Sequence, residues 1–350
     1  MNRIKALKYL SVLSLPMLAF VSFTSTGWMT FLPLLEAFFF IPVLELFFTP
    51  DTKNLTDTEE EIRKEDSIYD WLVYLVVPVQ IWMVWLFLNS MQEPNLSTVD
   101  IIGRISGMGM LCGVMGINVA HELGHRSKRH EQFFAKVLLL SSLYMHFFIE
   151  HNRGHHKNVS TPEDPSSARK GEMLYAFWFR SVVYSYLSAW RIERDRLIKK
   201  GKNFLSIDNE MIQFQVIQLS LLVLIWWFFG WLIMLYFIGA AIIGFLLLET
   251  VNYIEHYGLL REKEGDRYER VMPRHSWNSN HIVGRIVLFE LSRHSDHHYI
   301  ASRKYQILRH IDESPQMPTG YPGMMLMAVI PPLWFYVMNR RLEKYKISDV

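Results

Sequence analysis

The chain has 350 residues, of which 50% are hydrophobic, 14% aromatic and 20% charged, with a formal net charge of +2. Neither this balance nor any long basic run points to a nucleic-acid partner. The single cysteine, Cys112, excludes an internal disulfide, a cysteine-type zinc site and a cysteine-ligated iron or iron–sulfur domain within this chain.

The apolar residues are gathered in runs, and a bilayer crossing takes about 20 of them. Taken in chain order, runs at about 7–25 and 28–48 form a helical hairpin around Ser25-Thr26-Gly27. Arg3, Lys5 and Lys8 precede the first run in the manner of a signal peptide. The lack of a small-residue cleavage site and the second run close behind predict a retained membrane helix instead. Further crossings are predicted at about 70–90, 100–120, 212–229 and 231–251. In the fourth, Gly107, Gly109, Gly113 and Gly116 suit close helix–helix contact. Residues 133–148 are apolar but short and read as a buried or re-entrant helix. Residues 324–338, interrupted by Pro331-Pro332, read as interfacial or packed. The segments 121–211 and 252–350 are largely polar. The fold class is thus an all-α integral membrane protein with six transmembrane helices, in a single domain spanning 1–350. Lys and Arg gather before the first run, at 126–129, at 191–202 and after Arg261, whereas the linkers near 26, 95 and 230 are poor in them. The positive-inside rule then places both termini and both polar segments in the cytoplasm.

Those polar segments hold three histidine clusters: His121-Glu-Leu-Gly-His125, His151-Asn-Arg-Gly-His155-His156, and His294-Ser-Asp-His297-His298. On an α-helix, residues three or four apart share a face, so 121/125, 151/155 and 294/298 each aim two imidazoles together. Imidazole suits iron, zinc or copper rather than magnesium or calcium. Eight histidines exceed the needs of one tetrahedral zinc and fit two metals. His256, just past the sixth crossing, is a lone histidine that spacing alone does not recruit. Glu122, Glu150, Glu255 and Asp296 adjoin these histidines and are the candidates to accept the second N–H of a metal-bound imidazole. Asp164, flanked by prolines, reads more readily as a turn former. His121–His125 also matches H-E-x-x-H, the pattern of a zinc protease with Glu122 as general base, but that reading leaves six or seven histidines unexplained. A metal-binding membrane protein without catalysis is a third reading.

Beyond the clusters, Asn252–Leu259 (NYIEHYGL), Thr161–Pro165 (TPEDP) with Arg169, Gly171 and Glu172, His275–Ser279 (HSWNS), Arg293–His298 (RHSDHH) and Gly320-Tyr-Pro-Gly-Met324 carry a resemblance. Over most of its length after about residue 40, the chain resembles the membrane-bound alkane 1-monooxygenases, within the histidine-box di-iron hydroxylases and desaturases. It departs from them at Ser292, where glutamine is common, at Arg126, where lysine is common, and at Thr49-Pro50-Asp51, where a Gly-Glu-Asp type end is common. The resemblance implies two non-heme irons bound by His121, His125, His151, His155, His156, His256, His294, His297 and His298. It implies O2 as co-substrate, with one oxygen atom passing to a terminal carbon and the other leaving as water. Electrons would come from a separate rubredoxin and its reductase, and the location would be the inner (cell) membrane. The substrate would be a medium- or long-chain alkane drawn from membrane lipid, and a xylene-type or fatty-acyl hydroxylase is the nearest alternative. Phe38, Phe39, Phe40 and Phe47 are candidates for setting chain length, or else ordinary packing aromatics. Arg126, Lys128, Arg129 and the basic group at 191–202 are candidates for docking the acidic electron donor, or for meeting anionic lipid.

Overall fold

A computed structural model describes residues 2–348. Met1 and residues 349–350, the two ends that sequence reading places in the cytoplasm, lie outside the described residues. Helices dominate. In chain order they are α1 (Ile4–Thr24), α2 (Gly27–Glu45), α3 (Asp57–Glu65), α4 (Ile68–Ser90), α5 (Thr98–Gly124), α6 (Arg129–Leu140), α7 (147–158), α8 (Leu174–Lys199), α9 (Glu210–Phe229), α10 (Trp231–His256), α11 (Ile282–Val287), α12 (His294–Tyr299), α13 (Tyr321–Ala328) and α14 (Pro331–Ser348). A two-residue hairpin, β1 (Lys263–Glu264) with β2 (Arg267–Tyr268), is the one sheet among the described residues. Six helices, α1, α2, α4, α5, α9 and α10, are long and apolar enough to cross a membrane, within a few residues of the six predicted. The chain is a multi-pass membrane protein.

Two compact units form. The first comprises residues 1–39, 67–153 and 186–248. Its α5 carries the glycines because neighbouring helices come too close for side chains. A Cβ on Gly109 would meet Ile243 at 2.5 Å, one on Gly113 would meet Leu247 at 3.1 Å, and one on Gly116 would meet Ser142 at 3.0 Å. Cβ atoms at those distances force a neighbour to move, as expected for small-residue packing between membrane helices. At one end of α5, the buried Arg104 donates to the carbonyls of Ser90 and Ser25 and pairs with Glu93, tying two short linkers together. At the other end Arg126 is buried among Asp70 (2.5 Å), Glu122 (2.8 Å) and Glu131 (3.0 Å). The α6 helix ends at Leu140, and Leu143 turns with φ 50°, so the 133–148 stretch does not cross the membrane as one helix.

The second unit comprises residues 40–66, 154–185 and 249–350. Its core gathers Leu174, Phe177, Tyr253, Tyr257, Trp277 and Trp334, among others. Loops are held by buried arginines: Arg293 donates to the carbonyls of Leu308, Asp51 and Lys53, and Arg285 pairs with Glu290. The 324–338 stretch is split between α13 and α14 and supplies Met324, Ala328, Trp334 and Met338 to this core. Helices α3 and α8 lie in segments that read as polar connections. Their helicity is written instead in a Thr56–Glu59 capping box and in a charged face along 191–199.

Candidate metal centre

Three helices are locally π-helical, α2 at Glu36–Phe40, α5 at Cys112–Ile117 and α7 at His151–His155, and the last two adjoin or contain site histidines. One extra residue per turn changes which side chains share a face, and such turns recur at functional sites. The effect is plain in α7. The predicted pairing of His151 with His155 on one α-helical face does not form. In the first unit, His151 joins His121 and His125: its Nε2 lies 3.1 Å from that of His125 and its ring centre 4.4 Å from that of His121. In the second unit, His155 joins His256, His294 and His298, whose candidate donor atoms all lie within 4.8 Å of one another. His256 and His294 bring their Nε2 atoms to 3.3 Å, and His156 meets His297 at 3.1 Å.

Metal fits this donor set. Ring nitrogens at 3.1–3.3 Å from one another, in three separate pairs, have the spacing of neighbouring ligands. Neither ring nitrogen of the buried His298 has a hydrogen-bond partner among the described residues, a cost that a bound cation would remove at one of them. Burial first, and then the neighbouring His294, His156, His155 and His256, hold His298 well below the usual imidazole range. It is therefore neutral at pH 7, as a ligand must be.

The carboxylates divide. Asp164, ranked low from sequence, is fully buried, and its Oδ2 lies 2.8 Å from His155 Nδ1. Ser167 donates to the same oxygen at 2.5 Å and the Ser166 N–H donates to Oδ1. Burial works to raise this acid, but His155 and the Ser167 hydroxyl outweigh it and hold Asp164 below the usual carboxylate range. Glu255 places Oε2 3.1 Å from His294 Nε2, while Oε1 accepts from Tyr321 Oη at 2.5 Å. Burial and Glu255 push the Tyr321 phenol well up, so it is a donor at all ordinary pH. Asp296 instead holds the following loop, accepting from Arg303 at 2.5 Å and from the Arg309 N–H at 2.8 Å. Glu122 accepts from Arg126 through both Nε and Nη2. Glu150 is buried immediately before the π-turn of α7.

Other sequence candidates fall elsewhere. His146 is buried between the rings of Tyr144 and Tyr186, and burial lowers it to about 3. His310 binds Asn280 and Asp312, and His275 hydrogen-bonds Glu269. Phe39, Phe40 and Phe47 are exposed, at 56%, 48% and 78%, and Phe38 is half-buried. Arg126 is buried in its ion cluster and is removed from any docking surface.

Together, six apolar helices and histidine groups in each unit that could hold a metal define a multi-pass membrane protein with candidate metal sites. Residues 102–327 match the fatty acid desaturase family. The chain is 44% identical over 311 residues to alkane 1-monooxygenase 1 of Pseudomonas aeruginosa, covering 88% of this chain and 81% of that one. It is 42% identical to the alkane 1-monooxygenase of Acinetobacter baylyi, over 87% of this chain and 75% of that one. A xylene/toluene monooxygenase hydroxylase component of Pseudomonas putida is 29% identical, over 80% of this chain and 74% of that one. The chain belongs to the alkane 1-monooxygenase family, oxidoreductases within the wider desaturase family.

Proposed function

We propose that this chain hydroxylates the terminal carbon of alkanes to primary alcohols, using O2 at a non-heme di-iron centre. The ligands in this reading are His121, His125, His151, His155, His156, His256, His294, His297 and His298. The observation that carries it is the gathering of buried and half-buried imidazoles within each unit, in a chain whose relatives are named alkane 1-monooxygenases. When bound, iron supplies the oxygen activation that an unactivated methyl group requires. The protein supplies the rest. Asp164 fixes the tautomer and orientation of His155, and Glu255 meets His294. The apolar helices give a lipid-dissolved alkane a route that never enters water.

Electrons come, in this proposal, from a rubredoxin and its reductase, with the histidines and both termini on the cytoplasmic side of the cell membrane. Lys128, Arg129, Arg191, Arg194 and Lys200 are exposed and form the proposed landing surface for an acidic donor. Glu122 is engaged by Arg126, which disfavours the protease reading, in which it would serve as general base.

The test is metal and product analysis of purified protein in lipid, supplied with rubredoxin, its reductase and O2. About two irons per chain and 1-alkanols from octane or hexadecane are expected. Benzylic alcohol from xylene with no alkanol would move the assignment to the aromatic relatives. One tight zinc with Glu122-dependent peptide cleavage would overturn it. Reversing the charge of Lys128, Arg129 and Arg194 together should raise the rubredoxin KM at low salt and leave iron content alone, and an unchanged KM refutes the landing surface.

A further inference from the structure

The helix α12 carries three of the site histidines on six residues, His294–Tyr299. A helix that short does not hold itself, because nucleation fixes several residues for very few hydrogen bonds. At about 100° per residue, His294, His297 and His298 fall within about 100° of arc, and Asp296 lies on the opposite side. His294 and His298 stand in one group with His155 and His256, whereas His297 stands outside that group and meets His156. A small rotation of α12 would therefore misplace all three imidazoles together, and something other than the helix must prevent it.

Asp296 is fully buried on the far side, and both of its oxygens are taken by the loop that follows. Oδ1 accepts from Arg303 Nη1 at 2.5 Å and Oδ2 from the Arg309 N–H at 2.8 Å. Ser295 is buried beside it, and its hydroxyl donates to Asn278 Oδ1 at 3.1 Å and accepts from the Ser314 hydroxyl at 2.7 Å. The loop is fastened in turn. Arg293, the residue before α12, donates to the Leu308 carbonyl at 2.7 Å. The Arg309 guanidinium pairs with Glu60 of α3 through Nε at 2.7 Å, and Gln306 donates to the Arg63 carbonyl at 3.2 Å. Asn54 and His310 exchange two hydrogen bonds, at 2.7 and 2.8 Å. Asp296 thus joins α12 to a loop that α3 and Asn54 hold from the other side. A neutral side chain could not replace it, since the Arg303 side chain is only 14% exposed and would be left without its counter-charge.

We propose that Asp296 is a positioning residue for the metal centre: by binding Arg303 and the Arg309 N–H it fixes the rotation of α12, and so presents His294, His297 and His298 together to metal. This rests on the centre proposed above and deepens it. Asp164 acts on one imidazole by direct contact. Asp296 acts on three through the backbone of their helix, so its loss is felt at both irons at once.

The test uses the full chain in nanodiscs, with two readouts. In metal-free protein, the amides of 294–300 should exchange at least about 10-fold faster in Asp296→Asn than in wild type, the cost of losing one charged hydrogen bond, with α9 unchanged. With 57Fe(II) added without oxygen, wild type should show two Mössbauer doublets. Asp296→Asn should shift both and weaken iron binding about 10–100-fold. Arg303→Gln should reproduce these changes, and Arg303→Lys, which keeps the cation, should show less of each. Wild-type exchange at 294–300 in Asp296→Asn would overturn the proposal. So would faster exchange with wild-type doublets and affinity, which would leave Asp296 a fastener of the loop alone, and so would a shift confined to one doublet. If Asp296→Asn does not fold, Arg303→Gln decides by the same criteria. A wild type that binds no iron overturns the di-iron reading itself, and the exchange readout then decides whether Asp296 holds α12.

Discussion

Asp164→Asn tests the centre at the contact that is easiest to quantify. Asp164 has no exposed side-chain surface and serves three donors: His155 Nδ1 at 2.8 Å, the Ser167 hydroxyl at 2.5 Å and the Ser166 N–H at 3.1 Å. An amide of the same shape keeps one acceptor oxygen and turns a donor toward the other side. Whichever way it lies, at least one of these donors faces an N–H2 group and is left buried and unsatisfied, at a cost of about 1–3 kcal/mol. If the oxygen stays with Ser166, His155 must present a different tautomer, and its Nε2 loses the lone pair needed for metal. Losing such an outer partner typically weakens metal affinity about 10–100-fold, or about 1.4–2.7 kcal/mol at 1.36 kcal/mol per tenfold. Competition against a chelator, followed by bound iron, measures this directly. Asp164→Asn with wild-type affinity at that site would show that Asp164 is the turn former its prolines suggest, and that its contact with His155 does not orient a ligand.

Three further outcomes are expected. Arg126→Ala leaves Asp70, Glu122 and Glu131 buried without their cation and should destabilise the protein by about 3–5 kcal/mol, seen as a lowered unfolding midpoint; a loss below 1 kcal/mol would refute the cluster's role. His256→Ala should lose iron and turnover at normal membrane insertion, whereas His310→Ala, whose partners are Asn280 and Asp312, should keep both. His146 is depressed to about 3 by burial, so its stabilising contribution is whole above its unfolded value near 6.5 and is lost as pH falls toward 3. His146→Phe should therefore flatten the stability–pH curve between pH 6 and 4 by up to about 1.4 kcal/mol per unit, and an unchanged slope contradicts the burial argument.

The six crossings were legible because hydropathy and length alone specify a membrane helix, and the glycines of α5 announced its close packing. The candidate donors were legible too, since the histidines that cluster in the sequence are those the structure gathers into groups able to hold a metal. What periodicity missed was the grouping. An α-helical ruler joins His151 to His155, and the π-turn that separates them leaves no mark in composition. The contact made by Asp164 was missed for a related reason: its local sequence, between prolines, describes a turn, while in the fold it meets His155 nine residues earlier. Tyr321 meets Glu255 across 66 residues, and no local pattern announces such a pair. Helix α8 was hidden by its charges, which mark a solvated face rather than a loop.

The π-turn of α7 also governs how the chain tolerates change in length. Removing one residue from 151–155 would let the segment relax into a regular helix, and every side chain beyond it would swing by about 100°. His155 and His156 would then leave their partners together, although no ligand had been substituted. Natural variation and protein engineering should therefore accept many replacements at Asn152 or Arg153 and no deletion there. A copy of H-x-x-x-H-H grafted onto an ideal helix would likewise reproduce the letters of this site without its geometry.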